Sequence, residues 1–180
     1  AGGGAVAGAE LAVRVGVSRP ALRTRIEELR ALGYVIESSP HGGYRLRGAP
    51  DLLHADDLIS RLGKTRVIGR DIRVFHETTS TNDVVEKLAG DGVKEGVVVL
   101  AESQTKGRGR LGRKWLSPAR KGLWLSVLLR PKIPPQEVTR LTIAAATALV
   151  RAIRSQTGLT PEVKWPTDIL VKGRKVAGIR

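Results

Sequence analysis

The sequence predicts an α+β fold in two parts, and two observations lead to that prediction. Over residues 9–46, two helical segments precede two short apolar runs, in the order helix, turn, helix, hairpin. From residue 71 onward, apolar runs of strand length alternate with helical segments, which is typical of a mixed sheet covered by helices. We therefore expect a small domain over residues 1–49, a linker with a short helix over residues 50–70, and a mixed-sheet domain over residues 71–180.

Two short helices are predicted over residues 9–18 and 18–32. Ser18 is a favourable N-cap for the second helix because its hydroxyl can accept a hydrogen bond from the first turn. Pro20 is tolerated in that first turn, and Gly33 suits the position after the last turn. The apolar residues of the second helix share one face, which leaves most of its arginines pointing outward.

A hairpin is predicted next, with strands at residues 34–36 and 44–46 around a polar turn at residues 38–43. Two helices and a hairpin in this order form a winged helix-turn-helix, whose second helix enters the major groove of DNA. The motif normally begins with an earlier helix, which residues 1–8 are too short to supply. The alternative is a two-helix packing module with a solvated arginine face. The candidate DNA-binding residues are Ser18, Arg19, Arg23 and Arg30.

The second part contains the longer elements. Its long amphipathic helix is predicted over residues 135–156, and a shorter helix begins at Ser80 or Thr81 and runs to about residue 88. The linker is expected to contain a short helix near residues 55–62. Extended runs are expected at residues 72–76, 96–102, 122–129, 163–165, 169–171 and 175–179. The last two runs are expected to be joined by a hairpin turn at Lys172, Gly173 and Arg174.

Composition limits the classes of function. The chain has 180 residues and a net charge of +14, which favours polyanionic or phosphate-bearing partners. It has no cysteine, so disulfides, thiolate metal sites and cysteine nucleophiles are excluded, and a reducing cytoplasm suits it. Its three histidines are far apart and lack metal-ligand spacing. No apolar run approaches the length of a membrane span, so no membrane association is expected.

The most informative segment is the glycine loop, residues 107–115, with the sequence Gly-Arg-Gly-Arg-Leu-Gly-Arg-Lys-Trp. Glycines allow backbone N–H groups to form a concave anion site, and the arginine fork matches phosphate or carboxylate. The loop therefore indicates a site for a small anionic ligand. A solvated, flexible basic loop is the alternative interpretation.

Two familiar phosphate motifs do not explain this loop. A dinucleotide fold requires a helix at the loop and an acidic residue about 20 positions later, but the next carboxylate after Glu102 is Glu137. A P-loop requires Lys and then Ser or Thr after its second framing glycine. Arg113 and Lys114 occupy those positions. The sequence therefore favours a different class of anion site.

Four motifs together resemble those of biotin protein ligases. They are Thr-Ser-Thr-Asn at residues 79–82, the glycine loop, Lys-Trp-Pro-Thr-Asp at residues 164–168 and Lys-Val-Ala-Gly-Ile at residues 175–179. With the predicted DNA-binding part in front, the chain resembles the bifunctional bacterial type, which also represses biotin-synthesis genes. The resemblance implies a catalytic fold like that of class II aminoacyl-tRNA synthetases. In the family that fold continues past the position of Arg180, so truncation at both ends is expected and the activity of the fragment is left open.

The resemblance also implies the chemistry. Enzymes of this family condense biotin with ATP, in the presence of Mg²⁺, to biotinyl-5′-adenylate and then transfer biotin to a lysine of a biotin carboxyl carrier protein. The expected partners are that carrier, operator DNA and a second copy of the chain once biotinyl-adenylate is bound. A protein cage for a metal is not expected, although Mg²⁺ near Asp168 is compatible with the motif. The expected location is the cytoplasm.

Site residues follow position by position from the resemblance. The implied biotin contacts are Ser80, Thr81, Asn82, Gln104, Gly107, Arg108, Gly109, Arg110 and Lys175. The implied adenylate or ATP contacts are Arg110, Trp115, Thr167 and Asp168. Lys175 and Arg108 are the candidate catalytic residues, since a fixed cation stabilises the charge that builds between a carboxylate and a phosphate. Thr167 stands where the family has Asn, so a direct adenylate contact at that position is in doubt.

Several of these residues also have a purely structural interpretation. Ser80 and Thr81 suit an ordinary helix cap, Trp115 suits a core or surface-covering tryptophan, and a lysine beside a turn is usually solvated. For the whole chain, two rival functions remain. One is a non-catalytic winged-helix transcription factor with a ligand-sensing domain, and the other is a lipoyl-type acyl ligase.

Overall fold

The computed structural model describes residues 4–39 and 42–180. The chain divides into two compact units, Ala1–Leu52 and Leu53–Arg180, and each is described separately. The division falls inside the segment predicted as a linker, and the short helix of that segment belongs to the second unit. Along the described ranges, no helix is both long and apolar enough to cross a lipid bilayer.

The first unit contains helices α1 (Gly8–Val15) and α2 (Arg19–Ala31), followed by strands β1 (Val35–Ser39) and β2 (Gly43–Gly48). The two strands pair antiparallel. The predicted N-cap is confirmed, because the Ser18 hydroxyl accepts a hydrogen bond from the Ala21 backbone N–H at 3.3 Å. Pro40 and His41, in the predicted turn, lie outside the described residues.

A small core joins the helices of this unit to its hairpin. The buried residues Ala12, Leu22 and Ile26 pack against Ile36 and Tyr44 of the strands. This is a modest core, in which burial of Leu22 and Ile26 contributes on the order of 2 kcal/mol each and the methyl group of Ala12 contributes less.

The segment before α1 also contributes to the first unit. Val6 exchanges two backbone hydrogen bonds with Tyr44, at 2.8 and 2.9 Å. Gly43 is required beside this pairing, since a Cβ there would lie 2.0 Å from the Val6 carbonyl oxygen. Val6 therefore adds one isolated antiparallel bridge to β2.

The second unit contains helices α3 (Ala55–Leu62), α4 (Thr81–Gly90) and α5 (Thr139–Thr157). Its strands are β3 (Asp71–Thr78), β4 (Val97–Gln104), β5 (Trp124–Val127), β6 (Glu162–Lys164), β7 (Asp168–Val171) and β8 (Arg174–Gly178). α3 matches the helix predicted in the linker. α5 starts later than predicted because residues 135–137 form a separate 3₁₀ turn.

A mixed sheet of three strands carries the core of this unit. β4 lies in the middle, parallel to β3 and antiparallel to β5. The buried residues Val97, Val99 and Leu128 pack against Leu88 of α4. Because β3 and β4 are parallel, their carboxyl ends meet at one edge, where Thr78 pairs with Gln104. This edge positions the polar residues described below.

The last three strands form a second sheet. β6, β7 and β8 pair antiparallel in sequence order, so they do not extend the first sheet as a single mixed sheet would. Lys172 and Gly173 form the turn between β7 and β8, with φ values of 49° and 72°. The predicted hairpin turn is therefore confirmed, while the sheet it belongs to is separate.

Candidate active site

A tight corner joins β3 to α4. Ser80 caps α4 by accepting a hydrogen bond from the Asn82 backbone N–H at 3.3 Å, so the helix-cap interpretation of this serine describes its local role. Ser80 and Thr81 are each only 4% exposed. Buried hydroxyls require hydrogen-bond partners, and a network of side chains supplies those of Thr81.

The network begins at Gln104, the last residue of the central strand β4. Gln104 Oε1 accepts a hydrogen bond from the Thr81 backbone N–H at 2.8 Å. The hydroxyls of Thr81 and Ser126 lie 2.8 Å apart, and Ser126 donates a short hydrogen bond to Asn82 Oδ1. Sequence reasoning missed Ser126. Its only signal is a hydroxyl within the otherwise apolar strand β5, in Trp-Leu-Ser-Val.

Gln104 also connects this corner to the glycine loop. Its Nε2 donates to the Ser117 hydroxyl at 2.9 Å, and that hydroxyl donates to the Trp115 carbonyl at 3.2 Å. Both ends of the Gln104 amide are therefore fixed. Ser117 is buried and is a second positioning residue that the sequence did not reveal.

Gly107 lies against these groups at close range. A Cβ at this position would lie 2.4 Å from the Trp115 carbonyl oxygen and 2.7 Å from the Ser117 hydroxyl. Gly107 does not have a positive φ, so the glycine is needed for space rather than for backbone conformation. From the sequence, we expected the glycines to serve a different purpose, namely to let the backbone N–H groups form a concave anion site.

The glycine loop folds as a narrow hairpin. The Trp115 N–H donates to the Gly107 carbonyl at 2.9 Å, and the Gly109 N–H donates to the Arg113 carbonyl at 2.7 Å. The tip is exposed, with Leu111 89% accessible. Arg110 lies in this tip. The loop therefore has an ordered stem and a solvent-facing end.

Arg108, in the stem, forms an ion pair with Asp83 of α4. The guanidinium uses both terminal nitrogens for the two carboxylate oxygens. The pKa of Asp83 is lowered from its ordinary value, mainly by the hydrogen bond from Arg108 and secondly by one from Thr79. Asp83 was not among the residues predicted from the sequence.

Lys175 contacts residues of two other motifs, Asp168 and Trp115. Its Nζ lies 2.8 Å from Asp168 Oδ1 and 4.9 Å from the centroid of the Trp115 ring, within the range of a cation–π interaction. Thr167 donates a hydrogen bond to the same carboxylate at 3.0 Å. The pKa of Asp168 is lowered, mainly by the hydrogen bond from Lys175, with a smaller contribution from Thr167.

The structure thus brings most of the predicted site residues into two connected groups. The β3–α4 corner, Gln104 and the loop stem form one group, and the Lys175–Asp168 pair forms the other. Trp115 contacts both, through its carbonyl and its ring. Within the described part of the chain, no three His, Cys, Asp or Glu side chains form a metal-binding group.

The predicted DNA-binding residues lie in the first unit and differ in exposure. Arg19 and Arg23 are exposed on α2. Arg30 is engaged within the unit, since it donates to the Ile36 carbonyl at 2.6 and 3.0 Å and pairs with Glu27 at 2.7 Å. Ser18 serves as the helix cap.

Comparison with known families agrees with this geometry. Residues 74–180, more than half of the chain, match the biotin/lipoate A/B protein ligase family. The chain belongs to the biotin/lipoate A/B protein ligase family. The resemblance expected from the four motifs is confirmed, and residues 1–45 match a helix-turn-helix domain, which supports the predicted two-part fold.

Curated relatives match nearly the whole of this chain. The "Bifunctional ligase/repressor BirA" of Bacillus subtilis is 40% identical over 99% of this chain and 55% of its own length. The protein of the same name from Escherichia coli is 33% identical over 96% of this chain and 52% of its own length. The chain described here therefore spans about half the length of the curated relatives it matches.

A solved structure supports the ligase fold. The biotin protein ligase from Aquifex aeolicus in complex with biotin and ATP is 36% identical and superposes with a TM-score of 0.53. The match covers 61% of this chain and 45% of that protein. The α+β fold predicted for the second part is thus shared with a ligase of this family.

Proposed function

We propose that this protein is an ATP-dependent biotin–protein ligase that is also a biotin-responsive repressor. It would condense biotin with ATP to biotinyl-5′-adenylate, release pyrophosphate and transfer biotin to a lysine of a biotin carboxyl carrier protein. The observation that carries the proposal is the position of Lys175. Its ammonium lies between the Asp168 carboxylate and the ring of Trp115, where residues of three separate motifs meet.

Adenylation requires such a cation. The biotin carboxylate must attack the α-phosphate of ATP, and these two anionic groups repel each other. A lysine fixed by a carboxylate and an aromatic ring stabilises the charge of the transition state without having to reorganise. The chemistry requires no nucleophile from the enzyme, since positioning of the two substrates supplies much of the acceleration. We therefore assign Lys175 the catalytic role, assisted by Arg108.

The polar corner suits the head group of biotin. A ureido group offers N–H donors and a carbonyl acceptor, and the corner carries hydroxyl and amide groups on Ser80, Thr81, Asn82 and Gln104. The Thr81 hydroxyl and the Gln104 amide are already hydrogen-bonded within the protein and would hold the corner in shape. Ser126 already donates to Asn82 Oδ1, which leaves the Asn82 amide nitrogen to donate to a ligand. The residues present therefore fit the proposed substrate, and a hydrogen-bonding site of this kind discriminates strongly among ligands.

The loop suits the adenylate. Arg110 is in the exposed tip, and its guanidinium can reach a phosphate without breaking the stem. Mixed anhydrides hydrolyse in water, so a loop that folds over the intermediate protects it. Gly107 and Gly109 belong to the stem, and because they have no side chains the stem could approach the ligand closely, although the Gly109 N–H already donates to the Arg113 carbonyl.

We propose that Mg²⁺ enters with the phosphates of ATP and is not enclosed by protein ligands. Asp168 is the nearest candidate, but its carboxylate already accepts hydrogen bonds from Lys175 and Thr167. The metal would neutralise phosphate charge near this pair. Thr167 fixes the carboxylate, so its contribution to adenylate binding would be indirect.

The first unit supplies the proposed repressor function. The exposed arginines Arg19 and Arg23 on α2 suit phosphate contacts on operator DNA. We propose that biotinyl-adenylate promotes a homodimer, which then occupies the operator in the cytoplasm. Selection from random duplex DNA, with and without biotinyl-adenylate, tests this part. Equal affinity in the two conditions would contradict it.

Biotin-dependent ATP–pyrophosphate exchange tests the ligase directly. The complete gene product should exchange pyrophosphate with biotin and remain silent with lipoate. Exchange with lipoate alone would identify the lipoyl-type ligase. Silence with both acids, together with tight DNA binding, would identify the non-catalytic sensor.

A further inference from the structure

Glu102 lies in the buried part of β4 and has no role in the proposed chemistry. It is 7% exposed, and no other Asp, Glu, Lys, Arg or His residue among those that the structure describes is as buried. Taking a carboxyl group out of water is costly unless a hydrogen bond compensates for it. A buried carboxyl group on the central strand of the mixed sheet therefore requires an explanation.

The backbone of a distant segment supplies that hydrogen bond. The Leu53 N–H donates to Oε1 of Glu102 at 2.6 Å, across 49 positions of sequence. This distance is short for a hydrogen bond between a backbone N–H and an oxygen. Leu53 is also the first residue of the second unit. The contact therefore ties the point where the chain enters this unit to its central strand.

The helix that follows this point is only weakly held by packing. All eight residues of α3 are described, and none of them is buried. Its apolar side chains Ile59 and Leu62 are 41% and 52% exposed. Helices of globular proteins are usually stabilised by burial of an apolar face, and α3 has little of that stabilisation. The hydrogen bond from Leu53 to Glu102 therefore matters for fixing the start of this helix.

β4 connects this contact to the proposed ligand site. Glu102 is two residues before Gln104, the last residue of the strand. Gln104 in turn accepts the hydrogen bond from the Thr81 N–H at the β3–α4 corner. Ala101 and Ser103, on either side of Glu102, are paired with β3. Because the strand is paired along this stretch, a displacement of its backbone at Glu102 also displaces Gln104.

We propose that Glu102 is a positioning residue that anchors the segment entering the second unit to β4 and thereby fixes the position of Gln104 for the ligand. The proposal deepens the proposed ligase function and rests on it for the identity of the ligand, biotin. The anchor itself is a property of the chain alone. Because coupling between two contacts acts in both directions, biotin bound at Gln104 should also strengthen the anchor.

Amide hydrogen exchange at Leu53, followed by NMR in the complete gene product, measures the anchor. Glu102→Leu keeps a side chain of similar size but removes the acceptor. Exchange of the Leu53 amide should then accelerate by about tenfold, as expected for the loss of one strong hydrogen bond. Glu102→Gln retains an acceptor oxygen and should restore slow exchange.

Glu95→Leu is the matched control. Oε2 of Glu95 likewise accepts a backbone N–H, that of Arg130, at 3.2 Å, but it lies just before the opposite end of β4. This variant also replaces a carboxyl acceptor by an apolar side chain, and it leaves the contact with Leu53 intact. Its Leu53 amide should exchange at the parent rate.

Biotin affinity, measured by calorimetry on the same variants, tests the positioning role. Glu102→Leu should raise the Kd for biotin by about fivefold, at the low end of couplings between sites, while Glu102→Gln and Glu95→Leu keep the parent Kd. In the unmodified protein, saturating biotin should slow exchange at Leu53 by the same factor. This last measurement requires no variant, and circular dichroism shows whether each variant is folded.

The outcomes are distinct. Exchange at Leu53 at the parent rate in Glu102→Leu would overturn the anchor. Faster exchange with unchanged biotin affinity, or exchange in the unmodified protein that biotin does not slow, would overturn the positioning role. Failure of the unmodified protein to bind biotin would refute the proposed ligase function instead, while the exchange rates of the variants would still decide the anchor.

Discussion

The Nζ of Lys175 lies 2.8 Å from Oδ1 of Asp168, so the candidate catalytic cation is held by a carboxylate from the neighbouring strand. β7 and β8 pair in a register that places Asp168 opposite Gly178. A Cβ at Gly178 would lie 3.2 Å from Nζ of Lys175. The side chain of Lys175 therefore lies over Gly178, where a larger residue would crowd its ammonium group.

This pair predicts a pH dependence with a definite sign. The pKa of Asp168 is lowered in the folded state by the hydrogen bond from Lys175, so the pair stabilises the fold above the ordinary carboxyl pKa. That stability is lost as the pH falls through the lowered value. We expect the melting temperature of Asp168→Asn to lie below that of the parent at neutral pH and to converge with it in strong acid.

Carboxyl NMR provides the control for that prediction. In Lys175→Met the pKa of Asp168 should rise toward its ordinary range, because the main cause of the shift is removed. An unchanged titration of Asp168 in that variant would show that Lys175 is not the cause.

Gly107→Ala should disrupt the loop stem. The new Cβ would lie 2.4 Å from the Trp115 carbonyl oxygen, and overpacking of this kind costs about 1–3 kcal/mol. We expect a lower melting temperature and weaker biotin binding. Gly90→Ala, at the end of α4 and outside the loop, is the control, since no atom lies within 4 Å of the position its Cβ would take. Equal effects of the two substitutions would contradict the packing role of Gly107.

Ser126→Ala tests the hydroxyl network. It removes the donor to Asn82 Oδ1 and the partner of the Thr81 hydroxyl. Leaving buried polar groups without partners costs about 1–3 kcal/mol, and thermal or urea denaturation measures this directly. Biotin affinity should fall as well, because Asn82 loses its fixed orientation. Ser155→Ala, on the exposed side of α5, should leave both quantities unchanged.

Arg23 and Arg30 should behave differently, although both lie on α2. Arg23→Ala should weaken DNA binding and reduce the salt dependence by about one phosphate contact. Arg30→Ala should lower the stability of the first unit, since it removes the hydrogen bonds to the Ile36 carbonyl. Melting curves and salt titrations of DNA binding distinguish the two. A stable Arg30→Ala protein would contradict the structural role.

Local patterns predicted the local structure well. The Ser18 cap, the short helix at residues 55–62 and the turn at Lys172 and Gly173 follow from nearby sequence, because each depends on residues within one turn of the chain. The four motifs also predicted the family. Their order along the chain carries that information, whereas none of them is specific alone.

Contacts between distant segments were not predictable. Ser126 reaches Asn82 only because β5 pairs with β4 in one register, and Asp83 meets Arg108 only because β3 and β4 end together. Gly107 was among the residues singled out from the sequence, but its packing against Trp115 and Ser117 depends on the hairpin form of the loop. The separation of β6–β8 into its own sheet likewise depends on long-range pairing.

Comparison of Lys175→Ala with Lys172→Ala in biotin-dependent ATP–pyrophosphate exchange tests whether Lys175 is the catalytic cation. Both lysines lie on the β7–β8 hairpin, but Lys172 is in the exposed turn and Lys175 pairs with Asp168. In the complete gene product, Lys175→Ala should reduce exchange by at least about 100-fold, as for other residues that stabilise transition-state charge, while Lys172→Ala exchanges at the parent rate. Equal rates for Lys175→Ala and the parent would contradict the catalytic role of Lys175.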